Sequence, residues 1–281
     1  MLAAILATAV PACHHPLHPE PIALGPAREL LIRVFINDTP LMMQLDTGAS
    51  TTSITPATRA RLGVEQFRQT EGVGAGGKLA KAGWVWLKST GLAGDNLAMQ
   101  FATVVDLDNA GGRIAGVLGM DMLGQYVLDV DLRIHRLTLH REGEPAMQSP
   151  DMVGVDYTPL PGGQIALAIA IDGHPATAIL DLGANRTFAN GHTALVPDDE
   201  AGTMSAAVGA DRHRIEFRAT GAVEVRFGTL ALHAPSVWLG ELPAFQTFGL
   251  AGRPAVLLGT DALAGRRIVI DPFAHRVYLS P

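Results

Sequence analysis

The sequence predicts a mainly β protein built from two similar halves. Two blocks of the first half recur in the second half in the same order, and turn-forming clusters separate short apolar runs in both halves. The 281 residues include 31 glycines and 18 prolines, which is typical of a chain with many turns and many short strands. Self-similarity of this kind indicates a duplicated domain.

The first repeated block is an apolar strand that ends in an aspartate and a glycine turn. It reads LLIRVFINDTPLMMQLDTGAS over residues 30–50 and QIALAIAIDGHPATAILDLGAN over residues 164–185. Asp46 and Asp181 occupy the same place in the two copies, 135 residues apart. The pattern therefore predicts two equivalent aspartates, one in each half.

The second repeated block begins with an apolar strand that is followed by a glycine. It reads GVLGMDMLGQYVLDVDLRIHRLTLH in the first half and AVLLGTDALAGRRIVIDPFAHRVYLSP in the second, with Gly119 and Gly259 140 residues apart. Two matched blocks with a slip of five residues between them indicate duplication. We predict four segments: a tail over 1–22, an N-terminal lobe over 23–140, a linker over 141–156 and a C-terminal lobe over 157–281.

Local signals place hairpins and short helices within each half. Asparagine, aspartate, glycine and proline cluster at 37–40 and 172–175 between apolar runs, which predicts a tight hairpin turn at each place. Pro56 after Thr55 indicates the start of a helix. We expect one further short helix per copy, at 121–123 and 261–263, and low helix content throughout.

Composition excludes several classes of function. The apolar share of 48% supports a folded core, and a net charge of −6 lacks the basic footprint of a nucleic-acid binder. The single cysteine, Cys13, allows no intrachain disulfide and no cysteine-based zinc site. No G-x-S-x-G motif is present to support a serine nucleophile.

The two repeated aspartates predict a specific chemistry. An approximate two-fold axis relating the copies would bring Asp46 and Asp181 together. Two adjacent carboxylates cannot both ionise easily, so they share one proton. The ionised partner can take a proton from a water while the protonated partner donates to a carbonyl oxygen, without metal or cofactor. The pair would thus add water to an unactivated amide bond.

The chain resembles the aspartic proteases, in particular the retroviral-type (retropepsin-like) group found in bacteria. The resemblance rests on Leu-Asp-Thr-Gly-Ala-Ser at 45–50 and on the later apolar-apolar-glycine elements at 117–119 and 257–259. It covers nearly all of the chain after about residue 23. It implies a bilobal fold with a six-stranded base of interdigitated strands, a cleft between the lobes and flap hairpins over the cleft.

The resemblance also implies which residues support the catalytic pair of Asp46 and Asp181. In that family the residue after each aspartate braces the opposite lobe through a hydroxyl, and a small hydroxyl residue bonds the aspartate. These supporting positions are Thr47, Gly48 and Ser50 in the first copy and Gly183 and Asn185 in the second. The second copy departs from the pattern because Leu182 has no hydroxyl, whereas Asn185 can still donate.

A glycine-rich stretch, EGVGAGG, predicts the substrate-binding flap. It contains G-x-G-x-x-G, but a dinucleotide loop needs a strand before it and a helix after it, and the residues that follow have a β pattern. A mobile hairpin tip therefore explains it better. The predicted flap residues are Gly72, Val73, Gly74, Ala75, Gly76 and Gly77. Its counterpart near 207–210 has one glycine and a charged continuation.

The N-terminus predicts export. Residues 1–10 are apolar over the length of a signal-peptide core, and Cys13 follows small residues as in a bacterial lipoprotein signal. We expect an extracytoplasmic protein of the periplasm or cell envelope, with a lipid anchor at Cys13 as one alternative and a plain apolar tail as the other. A cytoplasmic protein remains the third alternative.

Two functions follow from the sequence. The first is an aspartic endopeptidase that acts as a monomer on a peptide or protein substrate, because one chain supplies both aspartates. The alternative is a catalytically weak or inactive peptide-binding scaffold of the cell envelope, suggested by Leu182 and Asn185. The distance between the two carboxyl groups discriminates them.

Overall fold

Strands account for most of the computed structural model, which describes residues 17–74, 77–107, 113–144, 150–198, 203–208 and 213–281. Within these ranges the side chains of 70–74, 77–81, 203–208 and 213–214 are not described. The elements up to residue 140 are β1 Glu20–Pro21, β2 Ala23–Leu24, β3 Leu30–Ile36, β4 Thr39–Leu45, β5 Ser53–Ile54, α1 Pro56–Leu62, β6 Gln66–Gly74, β7 Gly77–Leu92, β8 Asp95–Val104, β9 Gly116–Leu118, α2 Met120–Leu123, β10 Val127–Asp131 and β11 Arg136–His140. The later elements are β12 Val153–Pro159, β13 Ile165–Ile171, β14 His174–Leu180, β15 Phe188–Ala189, β16 Thr203–Val208, β17 His213–Ala219, β18 Val223–Phe227, β19 Leu230–Ala234, β20 Trp238–Leu239, α3 Pro243–Thr247, β21 Ala255–Leu258, β22 Arg267–Asp271 and β23 Arg276–Leu279.

The two predicted hairpins are confirmed. β3 pairs antiparallel with β4, and β13 pairs antiparallel with β14. Their turns use residues that tolerate positive φ: Asn37 and Asp38 at 47° and 62°, and Asp172 and Gly173 at 45° and 80°. Such turns match the twist of the flanking strands. Each hairpin delivers one aspartate, Asp46 or Asp181, at the end of its second strand.

The helices agree with the sequence at two places and differ at two. α1 begins after Thr55, whose side chain accepts a hydrogen bond from the Thr58 N–H, and ends at Gly63 with φ 62°. α2 follows Gly119 as expected. The prediction of a matching helix at 261–263 is wrong. This stretch forms turns, and they end at Gly265, which has a φ of 70°. The sequence did not predict α3.

The two halves contain sheets with the same order of strands. The first runs β2-β3-β4-β9-β5-β8-β7-β6 and the second runs β12-β13-β14-β21-β15-β20-β17-β16. In both, the strand before the aspartate pairs parallel with an apolar strand that precedes a glycine. The halves differ in the next two strands: β7 and β8 are continuous, whereas the counterpart of β7 is divided into β17 and β18 and that of β8 into β19 and β20.

A six-stranded sheet joins the halves, as the resemblance implies, but its strands are not interdigitated. Three neighbouring strands come from the first half and three from the second, in the order β1-β11-β10-β22-β23-β12. At its centre β10 pairs antiparallel with β22, so that Leu128 faces Ile270 and Val130 faces Ile268. β1 lies within the predicted tail, and β12 begins in the predicted linker. They extend the shared sheet instead of connecting the lobes loosely.

Alternation along β4 shows how the core orients the site. Leu41, Met43 and Leu45 are buried within a hydrophobic cluster that extends through both halves. Gln44 and Asp46 lie on the opposite face of the chain and are half-buried. Because the buried face fixes the register, the polar face at the strand end is fixed too.

Long hairpins form the predicted flap regions. β6 pairs with β7, and β16 pairs with β17. On the outer face near the base of the first hairpin, Trp86 packs on Phe101 with ring centroids 3.6 Å apart, and Phe67 and Trp84 pack beside them. The two tryptophans therefore serve packing. Among the described helices, none is long and apolar enough to span a membrane.

Candidate active site

The two aspartates meet where the halves face each other. The carboxyl groups of Asp46 and Asp181 lie close enough for each to shift the pKa of the other. Each also lies against the glycine of the other motif. A Cβ on Gly48 would be 2.5 Å from Asp181 Oδ2, and one on Gly183 would be 2.5 Å from Asp46 Oδ2. Both positions therefore require glycine for the carboxyl groups to come this close.

Backbone N–H groups hold both carboxyl groups in the same way. Asp46 Oδ1 accepts hydrogen bonds from the N–H groups of Gly48 and Ala49, both at 2.9 Å. Asp181 Oδ1 accepts from Gly183 at 2.8 Å and from Ala184 at 3.1 Å. These donors orient each carboxyl group through its Oδ1 atom.

Burial makes it costly to ionise both members of the pair. Burial raises the pKa of Asp46, while hydrogen bonds from the Ala49 N–H, Asp181 and the Gly48 N–H offset part of the rise. Burial and then the charge of Asp46 raise the pKa of Asp181 well above its ordinary value. The arrangement thus favours one proton shared by two carboxyl groups, and the titration belongs to the pair.

A hydroxyl from the first half braces the second. Thr47 Oγ1 donates to the Leu180 carbonyl at 2.7 Å and accepts from the Leu182 N–H at 3.0 Å. Leu182 is 1% exposed and belongs to the hydrophobic core. Its side chain has no hydroxyl, so it cannot return the same bonds to the first half. The brace is therefore one-sided.

Comparison with known proteins is consistent with this geometry. Residues 32–122 match the model of an aspartyl protease family. The match begins in β3, contains the whole first motif and ends in α2. No curated protein matches the chain.

Ser50 and Asn185, the last residues of the two motifs, make different contacts. Asn185 Nδ2 donates to the carbonyl oxygen of Ala27 at 2.7 Å. This differs from the expectation that Asn185 bonds its aspartate, because the longer amide side chain reaches across to the other half. Ser50 is exposed and its Cβ lies opposite Gly162. Asn185 therefore joins the halves rather than supporting Asp181 directly.

A threonine–aspartate bracket beneath each motif was not singled out from the sequence. Asp121 accepts from the Thr52 hydroxyl at 2.7 Å and from the Thr52 N–H at 2.9 Å, and Thr52 Oγ1 in turn accepts from the Gly119 N–H. Asp261 and Thr187 repeat the bracket, with a hydroxyl bond of 2.7 Å. The sequence does contain this pattern, because the threonine and the aspartate both recur at the spacings of the two repeated blocks.

The predicted flap residues occupy a hairpin. Backbone pairing joins Gly72 to Leu79, Val73 to Lys78 and Gly74 to Gly77. A dinucleotide loop would need a helix after the glycines, and β7 follows instead. Ala75 and Gly76 lie outside the described residues, as does Cys13.

Proposed function

We propose that the protein is an aspartic endopeptidase that hydrolyses peptide bonds with a water activated between Asp46 and Asp181. The observation that carries the proposal is the pair of adjacent carboxyl groups, one from each half, each lying against the glycine of the other motif. The aspartyl protease match over residues 32–122 supports a hydrolase of this class.

The proposed reaction needs only the pair, a water and the peptide. The ionised carboxyl group takes a proton from the water, whose oxygen attacks the peptide carbon, while the protonated carboxyl group donates to the carbonyl oxygen. The tetrahedral intermediate then collapses. Its C–N bond breaks as one carboxyl group donates a proton to the leaving nitrogen and the other takes a proton from a hydroxyl of the tetrahedral carbon. A carboxylic acid and an amine result, and the pair again holds one proton.

We further propose that the chain is a fusion of two copies of one unit and acts as a monomer. Matching strand orders, matching carboxyl environments and the repeated threonine–aspartate bracket support the duplication. Both aspartates come from one chain, so the site needs no second copy. The flap hairpins support an extended peptide or protein substrate, and we favour hydrophobic stretches.

The alternative scaffold function rests on Leu182 and Asn185. A leucine lodged between the carboxyl groups would favour a scaffold, whereas the Leu182 side chain packs in the core and each carboxyl group lies against the glycine of the other motif. This arrangement supports turnover.

We also propose export, with a lipid anchor at Cys13. Metabolic labelling with a fatty acid tests the anchor, since Cys13→Ala would abolish the label.

A peptide library tests the enzymatic proposal. Wild type and Asp46→Ala are incubated with the library across acidic to alkaline pH, and new termini are identified by mass spectrometry. We expect cleavage by wild type alone. Equal cleavage by both proteins would overturn the proposal.

A further inference from the structure

One peptide unit connects the first half of the chain directly to the carboxyl group of Asp181. The N–H of this unit, on Ala184, donates to Asp181 Oδ1 at 3.1 Å. Its carbonyl, on Gly183, accepts a hydrogen bond from Gln44 Nε2 at 2.7 Å. The Gln44 amide, the peptide and the carboxyl group therefore form one continuous chain of hydrogen bonds.

The other carboxyl group has a looser version of the same chain. The Ala49 N–H donates to Asp46 Oδ1 at 2.9 Å, and the carbonyl of that peptide unit, on Gly48, faces Gln164 Nε2 at 3.4 Å. Gln164 comes from the second half. The site is thus braced in both directions, but the bond from Gln44 is much the shorter.

The two glutamines are not products of the repeat. At the spacing of 135 residues, Gln44 corresponds to Ile179 and Gln164 corresponds to Glu29. The two glutamines therefore occupy different places in the two halves. Gln44 lies two residues before Asp46 on the polar face of β4, between the buried residues Met43 and Leu45 that fix its position.

We propose that Gln44 is a positioning residue for Asp181, and that it supplies a brace from the first half to the second motif. The proposal rests on the proposed function. The Asp181 loop already receives the hydroxyl of Thr47 at Leu180 and Leu182. Gln44 adds a contact at Gly183, so the first half holds backbone groups of three residues in this loop.

The physical effect follows from the shared peptide unit. A hydrogen bond to a peptide carbonyl polarises the peptide and strengthens the bond that its N–H donates. The donor to Asp181 Oδ1 favours the ionised form of that carboxyl group. Removing the Gln44 amide therefore weakens this support and tilts the peptide, so the pair holds its shared proton more tightly.

The test compares Gln44→Met with wild type and with two further variants. Methionine keeps the length of the side chain but cannot donate. Gln125→Met is the matched control, because Gln125 Nε2 also donates to a backbone carbonyl, that of Asp121 at 2.9 Å, outside the carboxyl pair. Gln164→Met tests the looser chain and should have a smaller effect than Gln44→Met.

We expect Gln44→Met to lower kcat severalfold with little change in KM. The alkaline limb of the kcat/KM profile should move up by about 0.3 pH unit, since the lost support is a fraction of one charge-assisted hydrogen bond. Gln125→Met should leave the limb in place. A variant that loses only thermal stability, with an unmoved limb, would overturn the proposal.

A second readout does not depend on activity. Carbon-13 NMR of aspartate-labelled protein follows the carboxyl titrations directly, with Asp181→Asn assigning the signal. An upward shift in Gln44→Met without any cleavage by wild type would sustain the positioning role and reject the protease. Cleavage by wild type with identical titrations in both proteins would reject the positioning role alone.

Discussion

The hydroxyl of Thr47 is inserted between two backbone groups on either side of Asp181. It donates to the Leu180 carbonyl at 2.7 Å and accepts from the Leu182 N–H at 3.0 Å. Thr47 is fully buried, so water cannot replace either bond. One side chain of the first half therefore fixes the place at which the second aspartate leaves its strand.

Replacing this hydroxyl should destabilise the protein strongly. Thr47→Val keeps the shape but leaves a buried carbonyl and a buried N–H without partners, at a cost of about 2–4 kcal/mol. Thr47→Ser keeps the hydroxyl and serves as the control, losing only a methyl group. Chemical denaturation measures both variants. Equal stability of the valine and serine variants would show that the hydroxyl braces nothing.

Restoring a hydroxyl on the other side should not simply repair the asymmetry. Leu182 packs in the core, so Leu182→Thr leaves a cavity that costs about 2–4 kcal/mol by comparison with other large-to-small changes. The new hydroxyl gains about 1 kcal/mol if it finds a backbone partner. We expect a lower melting temperature with unchanged or higher turnover per folded molecule. A more stable but less active variant would contradict this interpretation of Leu182.

Local features of the fold could be predicted from the sequence because short-range chemistry decides them. Positive-φ residues at Asn37 and Asp172 fix the two hairpins, and Thr55 with Pro56 fixes the start of α1. The spacing of the repeat anticipates that Asp46 and Asp181 are equivalent. Their contact follows from symmetry alone, without any long-range information.

Other features depend on distant partners and could not be predicted. Asparagine often forms hydrogen bonds with nearby backbone groups, but the Asn185 amide donates to the carbonyl of Ala27, which is remote in sequence. Nothing in the sequence distinguishes Gln44 from other polar strand residues, because its bond to the Gly183 carbonyl forms only in the folded chain. The stretch after Asp261 lacks a helix, although its repeat counterpart forms one. Tertiary contacts decide the first two, whereas the turns after Asp261 end locally at Gly265, which has a positive φ.

The buried ion pair between the halves should matter more than an exposed ion pair. Arg267 binds the buried Asp129 with two bonds, at 2.8 and 2.6 Å, across the central strand pair. Arg267→Met leaves that carboxylate buried without its arginine, with His140 Nε2 3.9 Å away, at a cost of about 3–5 kcal/mol.

Arg226 provides the exposed control. Its Nη2 donates to Glu224 Oε1 at 2.7 Å, and the two side chains are 46% and 34% exposed. Arg226→Met should therefore cost under about 1 kcal/mol. Denaturation curves of the two variants compare them directly, and equal losses would mean that the shared sheet does not depend on its charged centre.

The raised pKa of Asp181 predicts how stability depends on pH. A carboxyl group whose pKa is higher in the folded than in the unfolded chain binds its proton more tightly when folded. Stability is therefore lost as pH rises above the ordinary aspartate value toward the folded pKa. Asp181→Asn should remove this loss.

Thermal unfolding from pH 3 to pH 8 checks that prediction. Wild type and Asp181→Asn should be similar at pH 3, and the variant should become the more stable protein toward neutral pH. Asp38→Asn, in an exposed turn, removes one charge far from the pair and serves as the control. A stability difference that is constant across the whole range would contradict a raised pKa.

The pH dependence of peptide cleavage tests the central claim that Asp46 and Asp181 work as one unit with one shared proton. Wild type should show a bell-shaped profile of kcat/KM, because activity is lost both when the pair gains a second proton and when it loses its last one. Asp46→Asn keeps the shape of the side chain, so it should abolish cleavage while leaving the fold intact by circular dichroism. A rate that is flat from acidic to alkaline pH, or cleavage that persists in Asp46→Asn, would contradict the account.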